Sequence, residues 1–312
     1  MMAGGEPSPG PESRRVLAFD VGGTHLRGAL CDGKGALLRR TRASAPRGDG
    51  TALLDAVQTM AEELSSGGGP RPLAAGLALA GLLDLPRGRL AVSPNLELTD
   101  LDVTGPLERR LALPVALVND VNAAALGEAW AAGCDHLVAL FLGSGVGFGA
   151  VAGGRLIEGL RGMAGEAGHL IYDRDGPTCP AGCVGCYDSV LGGQGLARAA
   201  SDQGIADDTA GLLAAYRAGG QAAGELVGRA LEAMTVLTRL AVNMFDPQTI
   251  VVGGGLATHL PELLDAARLG VTANPIGSGR TGLPVLEARL GDDAGLVGAA
   301  RRALMASPAK PR

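Results

Sequence analysis

The sequence predicts an α/β protein with a mixed sheet in each of two lobes, and three observations carry that expectation. An apolar strand, a glycine loop, a return strand and a tight turn occur twice along the chain. Short apolar runs of strand type alternate with segments of helical periodicity. A chain of 312 residues is also long enough to bury two cores.

The elements follow in order. Val16-Leu17-Ala18-Phe19-Asp20-Val21-Gly22-Gly23-Thr24 returns through Gly28-Ala29-Leu30-Cys31 to the turn Asp32-Gly33-Lys34-Gly35. Residues 52–64 then carry apolar side chains at helical spacing, and residues 73–80 and 115–118 read as buried strands. The second copy of the hairpin runs from Leu137-Val138-Ala139-Leu140-Phe141-Leu142 into Gly143-Ser144-Gly145-Val146-Gly147-Phe148-Gly149, Ala150-Val151 and the turn Ala152-Gly153-Gly154-Arg155. Residues 225–244 form a helix with Leu226, Ala230, Met234, Leu237 and Leu240 on one face, stopped by Asp246-Pro247. A strand at 249–252 ends in Gly253-Gly254-Gly255 before another helix.

Paired glycine loops point to a bound polyphosphate. Backbone N–H groups hold phosphate oxygens well, and glycine lets two loops approach without Cβ clashes. Either loop alone is equally a plain hairpin turn. Asp20 ends an apolar strand beside the first loop, where a carboxylate can hold magnesium directly or through water. Thr24 and Ser144 add hydroxyl donors, and Gly22, Gly23, Gly143, Gly145 and Gly147 supply backbone.

Composition excludes some functions. The net charge is −5 with no run of Lys or Arg, which argues against nucleic acid as a partner. The 51 glycines and 3% aromatics suit close backbone packing, and a coding bias produces the same composition. Residues 1–15 and 307–312 read as disordered tails without a signal peptide. Residues 137–154 are uncharged, but their glycines and central serine suit a hairpin better than a lipid-facing helix. The expectation is a cytoplasmic protein with no membrane partner.

Chemistry concentrates at Val115-Ala116-Leu117-Val118-Asn119-Asp120, where an apolar strand delivers two polar residues to an alanine-rich helix. An Asp there is a favoured helix N-cap. Beside phosphate loops it also suits a base, because a phosphoryl acceptor hydroxyl needs a carboxylate to orient it and take its proton.

Taken together, these motifs resemble the ROK family of sugar kinases and related repressors, within the actin-like, ribonuclease H-like and hexokinase-like ATPase fold. The resemblance covers residues 16–304. It rests on Asp20-Val21-Gly22-Gly23-Thr24 with Arg27-Gly28, Ser93-Pro94-Asn95-Leu96, Asn119-Asp120, the second glycine loop, Glu166-Ala167-Gly168-His169, a cysteine cluster and Ala294-Gly295-Leu296-Val297-Gly298-Ala299-Ala300. It implies a small N-terminal lobe of residues 16–121 plus 292–306, a large C-terminal lobe of residues 122–291, and a cleft between them.

The resemblance implies further roles. Asn95, Asn119, Asp120, Glu166 and His169 fall where family members hydrogen-bond a pyranose, and Gly253, Gly254 and Gly255 where they receive the adenosine of ATP. Read singly, Asn95 after Pro94 is a turn residue before it is a ligand, and His169 is equally a core histidine. The family's Cys-x-Cys-Gly-x-x-Gly-Cys-x-Glu binds a structural zinc with the histidine. Here the segment is Cys179-Pro180-Ala181-Gly182-Cys183-Val184-Gly185-Cys186-Tyr187-Asp188. Ala181 replaces the middle cysteine and Cys183 lies two residues later, so the expected ligands are His169, Cys179, Cys183 and Cys186 on a rearranged loop, with fewer ligands as the alternative. Asp188 replaces the family's glutamate as a sugar ligand, on a shorter arm.

The function expected is ATP- and magnesium-dependent phosphorylation of the 6-hydroxyl of a hexose, glucose first, with Asp120 as base. Kinases of mannose, fructose or an N-acetylhexosamine share every catalytic residue. A sugar-sensing regulator is the alternative from another class, disfavoured because no helix-turn-helix or basic face precedes the first strand. Family members are commonly oligomers, so a homodimer is the expected assembly.

Overall fold

The computed structural model describes residues 14–277 and 282–307. The expected tails lie outside these residues, apart from Arg14 and Arg15 at one end and Ser307 at the other; Arg15 already belongs to the first strand. The chain forms two compact units. The first runs up to Ala131, takes in Glu158–Met163 and resumes at Asp292; the second comprises Ala132–Ile157 and Ala164–Gly291.

In the first unit, β1 (Arg15–Val21), β2 (His25–Asp32) and β3 (Leu37–Ser44) form a meander, followed by α1 (Gly50–Ser65) and β4 (Ala75–Leu79). A three-stranded sheet of β5 (Leu82–Asp84), β6 (Arg89–Ser93) and β7 (Leu98–Asp102) precedes α2 (Thr104–Leu111), β8 (Val115–Asn119) and α3 (Asp120–Ala132). The main sheet has the order β3-β2-β1-β4-β8. β1 pairs antiparallel with β2 and parallel with β4, and β4 pairs parallel with β8. Val16, Leu17, Ala18, Phe19 and Val21 are all buried, which is why this near-continuous apolar run takes the central place. Asp49 caps α1 by accepting from the N–H groups of Thr51 and Ala52 at 2.9 and 3.0 Å. Its buried face is Leu53, Leu54, Val57, Met60, Ala61 and Leu64.

The second unit repeats the plan. β9 (Leu137–Leu142), β10 (Val146–Ala152) and β11 (Arg155–Leu156) form the meander. Helices α4 (Tyr187–Leu191), α5 (Gly193–Asp202), α6 (Thr209–Arg217) and α7 (Gln221–Phe245) lead to β12 (Thr249–Gly253), α8 (Gly255–His259), α9 (Glu262–Thr272) and β13 (Val285–Glu287). The sheet order, β11-β10-β9-β12-β13, mirrors that of the first unit. Both sheets are mixed, as expected. In α7 the buried residues include Ala223, Val227, Ala230, Met234, Leu237 and Ala241. Of the face expected there, Leu226 is only partly buried and Leu240 is exposed, because the seam turns toward Val227 and Ala241. Asp246 ends the helix in the left-handed region, at φ 43°. The strand expected over 73–80 begins only at Ala75, and Leu73 is exposed.

The chain returns to the first unit in α10 (Ala294–Ala306). A Cβ on Gly298 would lie 1.6 Å from the Ala123 carbonyl oxygen, and one on Gly76 would lie 1.9 Å from that of Ala299. The main chains of α10, α3 and β4 therefore touch, which larger residues would prevent. This packing corrects the expected boundary: α3 stays with the first unit, and the break falls after Ala131 instead of Val121. Residues 158–163 also return to the first unit, where Glu158 pairs with Arg302 at 2.9 Å. Among the described residues, no helix is long and apolar enough to cross a membrane.

Candidate active site

Three parallel strands of the first unit end at one edge, with Val21 beside Leu79 and Leu79 beside Asn119 in register. Open α/β sheets bind ligands at the carboxyl ends of their strands. Asp20 lies there, largely buried, with Arg27 Nη1 at 3.3 Å; Arg27 Nη2 also pairs with Asp292 at 3.0 Å. Burial pushes the Asp20 carboxyl up to about 6, opposed by Arg27 and reinforced by the charge of Asp120. A Cβ on Gly295 would stand 2.8 Å from the Asp20 carboxyl carbon, so a glycine in the first turn of α10 is what leaves room for this carboxylate.

Asp120 opens α3, but it is not the cap. The Asn119 Oδ1 accepts from the N–H groups of Val121 and Asn122 at 3.0 and 3.1 Å, and its Nδ2 donates to the Gly81 carbonyl at 3.2 Å. Asn119 thus does the helix-capping that the sequence offered to Asp120. Burial holds the Asp120 carboxyl above the usual carboxylate range, against hydrogen bonds from the N–H groups of Val121 and Asp120 and from the Asn119 side chain. A base raised toward neutrality is better matched to accept a hydroxyl proton.

The first glycine loop leans on the Pro94–Leu96 turn. A Cβ on Gly23 would come 2.8 Å from the Asn95 Cβ, while Leu96 anchors that turn in the core and accepts from the Gly48 N–H at 2.8 Å. Asn95 itself is exposed, as is Thr24. The first unit therefore brings together Asp20, Gly22, Gly23, Asn95, Asn119 and Asp120 around its strand ends.

In the second unit, the Gly143 N–H donates to the Gly145 carbonyl at 3.0 Å and closes the loop. The start of α5 ties it down: the Gly193 N–H donates to the Gly143 carbonyl at 2.9 Å, and the Gln194 N–H to the Ser144 carbonyl at 2.8 Å. Asp188, expected on a sugar hydroxyl, accepts from the Val146 N–H at 2.6 Å through its Oδ1. Gly254 adopts φ 92° with its Cβ direction only 2.3 Å from the Leu142 carbonyl oxygen, a place no other residue fits.

A cleft of about 480 Å3 joins the second and third glycine elements. Gly143, Ser144 and Gly255 line it, with Gln194, Asp208, Thr209, Arg217 and His259 as its polar side chains. Its volume suits a small-molecule ligand. These five polar residues were not foreseen; only the Asp208-Thr209 pair carries a local signal, because Asp208 caps α6 by accepting from the Gly211 N–H at 2.7 Å.

His169 ends a short turn from Ala167, and the exposed Glu166 opens that turn. The His169 Nδ1 lies 3.9 Å from both the Cys179 and the Cys183 Sγ, and the three ligand atoms lie within 4.8 Å of one another. The ligand edge of a tetrahedral zinc site is about 3.6 Å for sulfur and nitrogen, so this donor set fits zinc. The Cys179 N–H donates to the Cys183 carbonyl at 2.8 Å, which folds the loop so that Cys183 comes beside Cys179. Cys186 is fully buried and its thiol hydrogen-bonds the Cys179 side chain. All five cysteines are free.

Comparison with known proteins agrees with these features. The ROK family matches residues 16–305. A ROK hexokinase from Thermus thermophilus is 34% identical, with a TM-score of 0.84 over 93% of this chain and 98% of that one. A ROK family glucokinase from Streptomyces griseus, solved in complex with glucose and AMPPNP, is 28% identical with a TM-score of 0.73 over 93% and 99% of the two chains. An N-acetylmannosamine kinase of Salmonella heidelberg is 32% identical over 91% of this chain and 97% of its own. The chain belongs to the ROK family.

Proposed function

We propose that this ROK-family sugar kinase transfers the terminal phosphoryl group of ATP to the 6-hydroxyl of a hexose, glucose before others. One observation carries the reading: Asn119 takes over the cap of α3, and Asp120 keeps a carboxylate of raised proton affinity at the strand end.

As the sugar oxygen bonds to phosphorus, the bond from phosphorus to the leaving oxygen of ADP breaks. Asp120 takes the hydroxyl proton. Such a base contributes about 10²–10⁴ in rate. Asn95, Asn119, Glu166 and His169 are the candidates for the sugar hydroxyls; in the ligand-free chain the Asn119 oxygen is held by the helix and its nitrogen by the Gly81 carbonyl. The backbone of Gly22, Gly23, Gly143, Ser144, Gly145 and Gly147 would hold phosphates, with hydroxyls from Thr24 and Ser144. The cleft at Gly255 is the candidate nucleoside site.

Asp20 is the carboxylate placed to hold magnesium, which when bound would neutralise charge on the phosphates. Its raised proton affinity is the mark of a buried carboxylate that a cation would relieve. His169, Cys179 and Cys183, with Cys186 as fourth ligand, would hold a structural zinc that fixes the histidine ring.

The test is ADP release from ATP and magnesium with glucose, mannose, fructose, N-acetylglucosamine and N-acetylmannosamine. Glucose is expected to give the highest kcat/KM. Preference for N-acetylmannosamine would keep the mechanism and replace the substrate; no stimulation by any sugar that binds would overturn the kinase reading.

A further inference from the structure

We infer that Asp188 is a positioning residue for the phosphate-holding glycine loop, so that nucleotide affinity depends on it while sugar affinity does not. This rests on the kinase reading above and reassigns a residue whose sequence position suggests a sugar ligand.

The geometry is that of a wedge. The Asp188 Oδ1 accepts from the Val146 N–H at 2.6 Å, the short distance of a charge-assisted bond. The same oxygen lies 2.9 Å from where a Cβ on Gly145 would stand and 2.8 Å from one on Gly168. One carboxylate thus fills the space left by two glycines, one in the phosphate loop and one in the Glu166–His169 turn. Its attachment is rigid. The Asp188 carbonyl oxygen lies 2.7 and 2.5 Å from the Cβ directions of Gly192 and Gly195, so the backbone after α4 is pressed onto it. The residues next along, Gly193 and Gln194, make the two further hydrogen bonds to Gly143 and Ser144. Val146 is the first residue of β10, so fixing its N–H sets where the loop ends and the strand begins.

Arm length decides between the two roles. A glutamate would carry its carboxylate about one methylene further and off the Val146 N–H, which the aspartate arm already meets at 2.6 Å. A loop-positioning residue is therefore harmed by lengthening, whereas a sugar ligand that is one methylene short is improved by it.

The experiment compares Asp188→Ala, Asp188→Asn and Asp188→Glu with the wild-type protein. Calorimetry gives Kd for AMPPNP with magnesium and, separately, for glucose and N-acetylmannosamine; hydrogen exchange follows the Val146 amide without any ligand. Asp188→Ala should weaken AMPPNP binding about ten- to hundredfold, as expected for loss of a hydrogen bond to a charged group. It should also speed exchange at Val146 and leave sugar Kd within about twofold. Asp188→Asn, whose amide oxygen can still accept, should recover most of both, and serves if the alanine variant fails to fold. Asp188→Glu should weaken AMPPNP. Weakened sugar binding with AMPPNP unchanged, or tighter sugar binding in Asp188→Glu, would overturn the inference, as would unchanged exchange at Val146. A wild-type protein that binds sugar but no AMPPNP would overturn the kinase reading itself, while accelerated exchange in Asp188→Ala would still report the tether.

Discussion

The two glycine hairpins share a sequence pattern and a sheet topology, yet they are held in place differently. The first, β1 to β2, carries its carboxylate on the strand itself: Asp20 is the last residue but one of β1, balanced by Arg27 from the return strand. The second, β9 to β10, has no acidic residue of its own, and its carboxylate arrives from Asp188, 42 residues beyond Val146. One hairpin thus carries a largely buried carboxylate on its own strand, and the other has its backbone fixed by a carboxylate from a distant helix. The difference between the two copies lies in where the carboxylate enters.

Variants can break this contrast, and the largest effect falls beside the first hairpin. Asp120→Asn should lower kcat by about 10²–10⁴ while leaving AMPPNP and sugar affinity nearly unchanged, measured by steady-state kinetics and calorimetry. Loss of both affinities with kcat preserved would place Asp120 among binding residues.

Asp20→Asn sharpens the comparison through pH. The folded carboxyl titrates near 6 against 3.8 for the ordinary group, so the folded state binds more protons between those values and stability falls as pH rises through them. Removing the charge should therefore stabilise the ligand-free protein by about 2–3 kcal/mol at pH 7.5 and by almost nothing near pH 4. Thermal unfolding at the two pH values checks this. In the wild type, magnesium-dependent kcat/KM should fall as pH drops through about 6, since the protonated carboxyl no longer attracts a cation.

Smaller effects separate the loops. Gly145→Ala forces a methyl 2.9 Å from the Asp188 oxygen and should raise KM for ATP about tenfold, with sugar KM unaltered. Gly23→Ala forces one 2.8 Å from the Asn95 Cβ and, since Gly23 also belongs to the first phosphate loop, should raise sugar KM and ATP KM together by a similar factor. Equal changes in both constants for both variants would erase the distinction between the hairpins. Smallest in its effect on turnover is Cys183→Ser, which should lower the zinc content of purified protein from one per chain, read by elemental analysis. Full zinc in this variant would return the site to fewer ligands.

Much of this was legible in the residues. The apolar runs of β1, β9 and β12 appear within a residue or two of where their composition places them, because a strand buried on both faces leaves an uninterrupted signal. The site was less so. Asn119 and Asp120 are adjacent and both can cap a helix; only the bonds from Val121 and Asn122 assign that duty to Asn119. Arg217 and His259 line the cleft beside the second glycine loop from two helices far apart in sequence, and neither sits in a motif. The boundary after Ala131 depends on α3 touching α10, Ala123 against Gly298, which local periodicity does not carry. Leu240 fits a helical stripe by spacing, but the buried face of α7 runs through Val227, Met234 and Ala241, and Leu240, like Leu226, lies beside it.

Whether a sugar hydroxyl receives the phosphoryl group of ATP is read by following ADP and sugar phosphate together, by 31P NMR, in wild-type protein with ATP, magnesium and glucose. One glucose 6-phosphate is expected for each ADP formed. ADP formed without sugar phosphate, or glucose bound with no ADP above the rate without sugar, would contradict it.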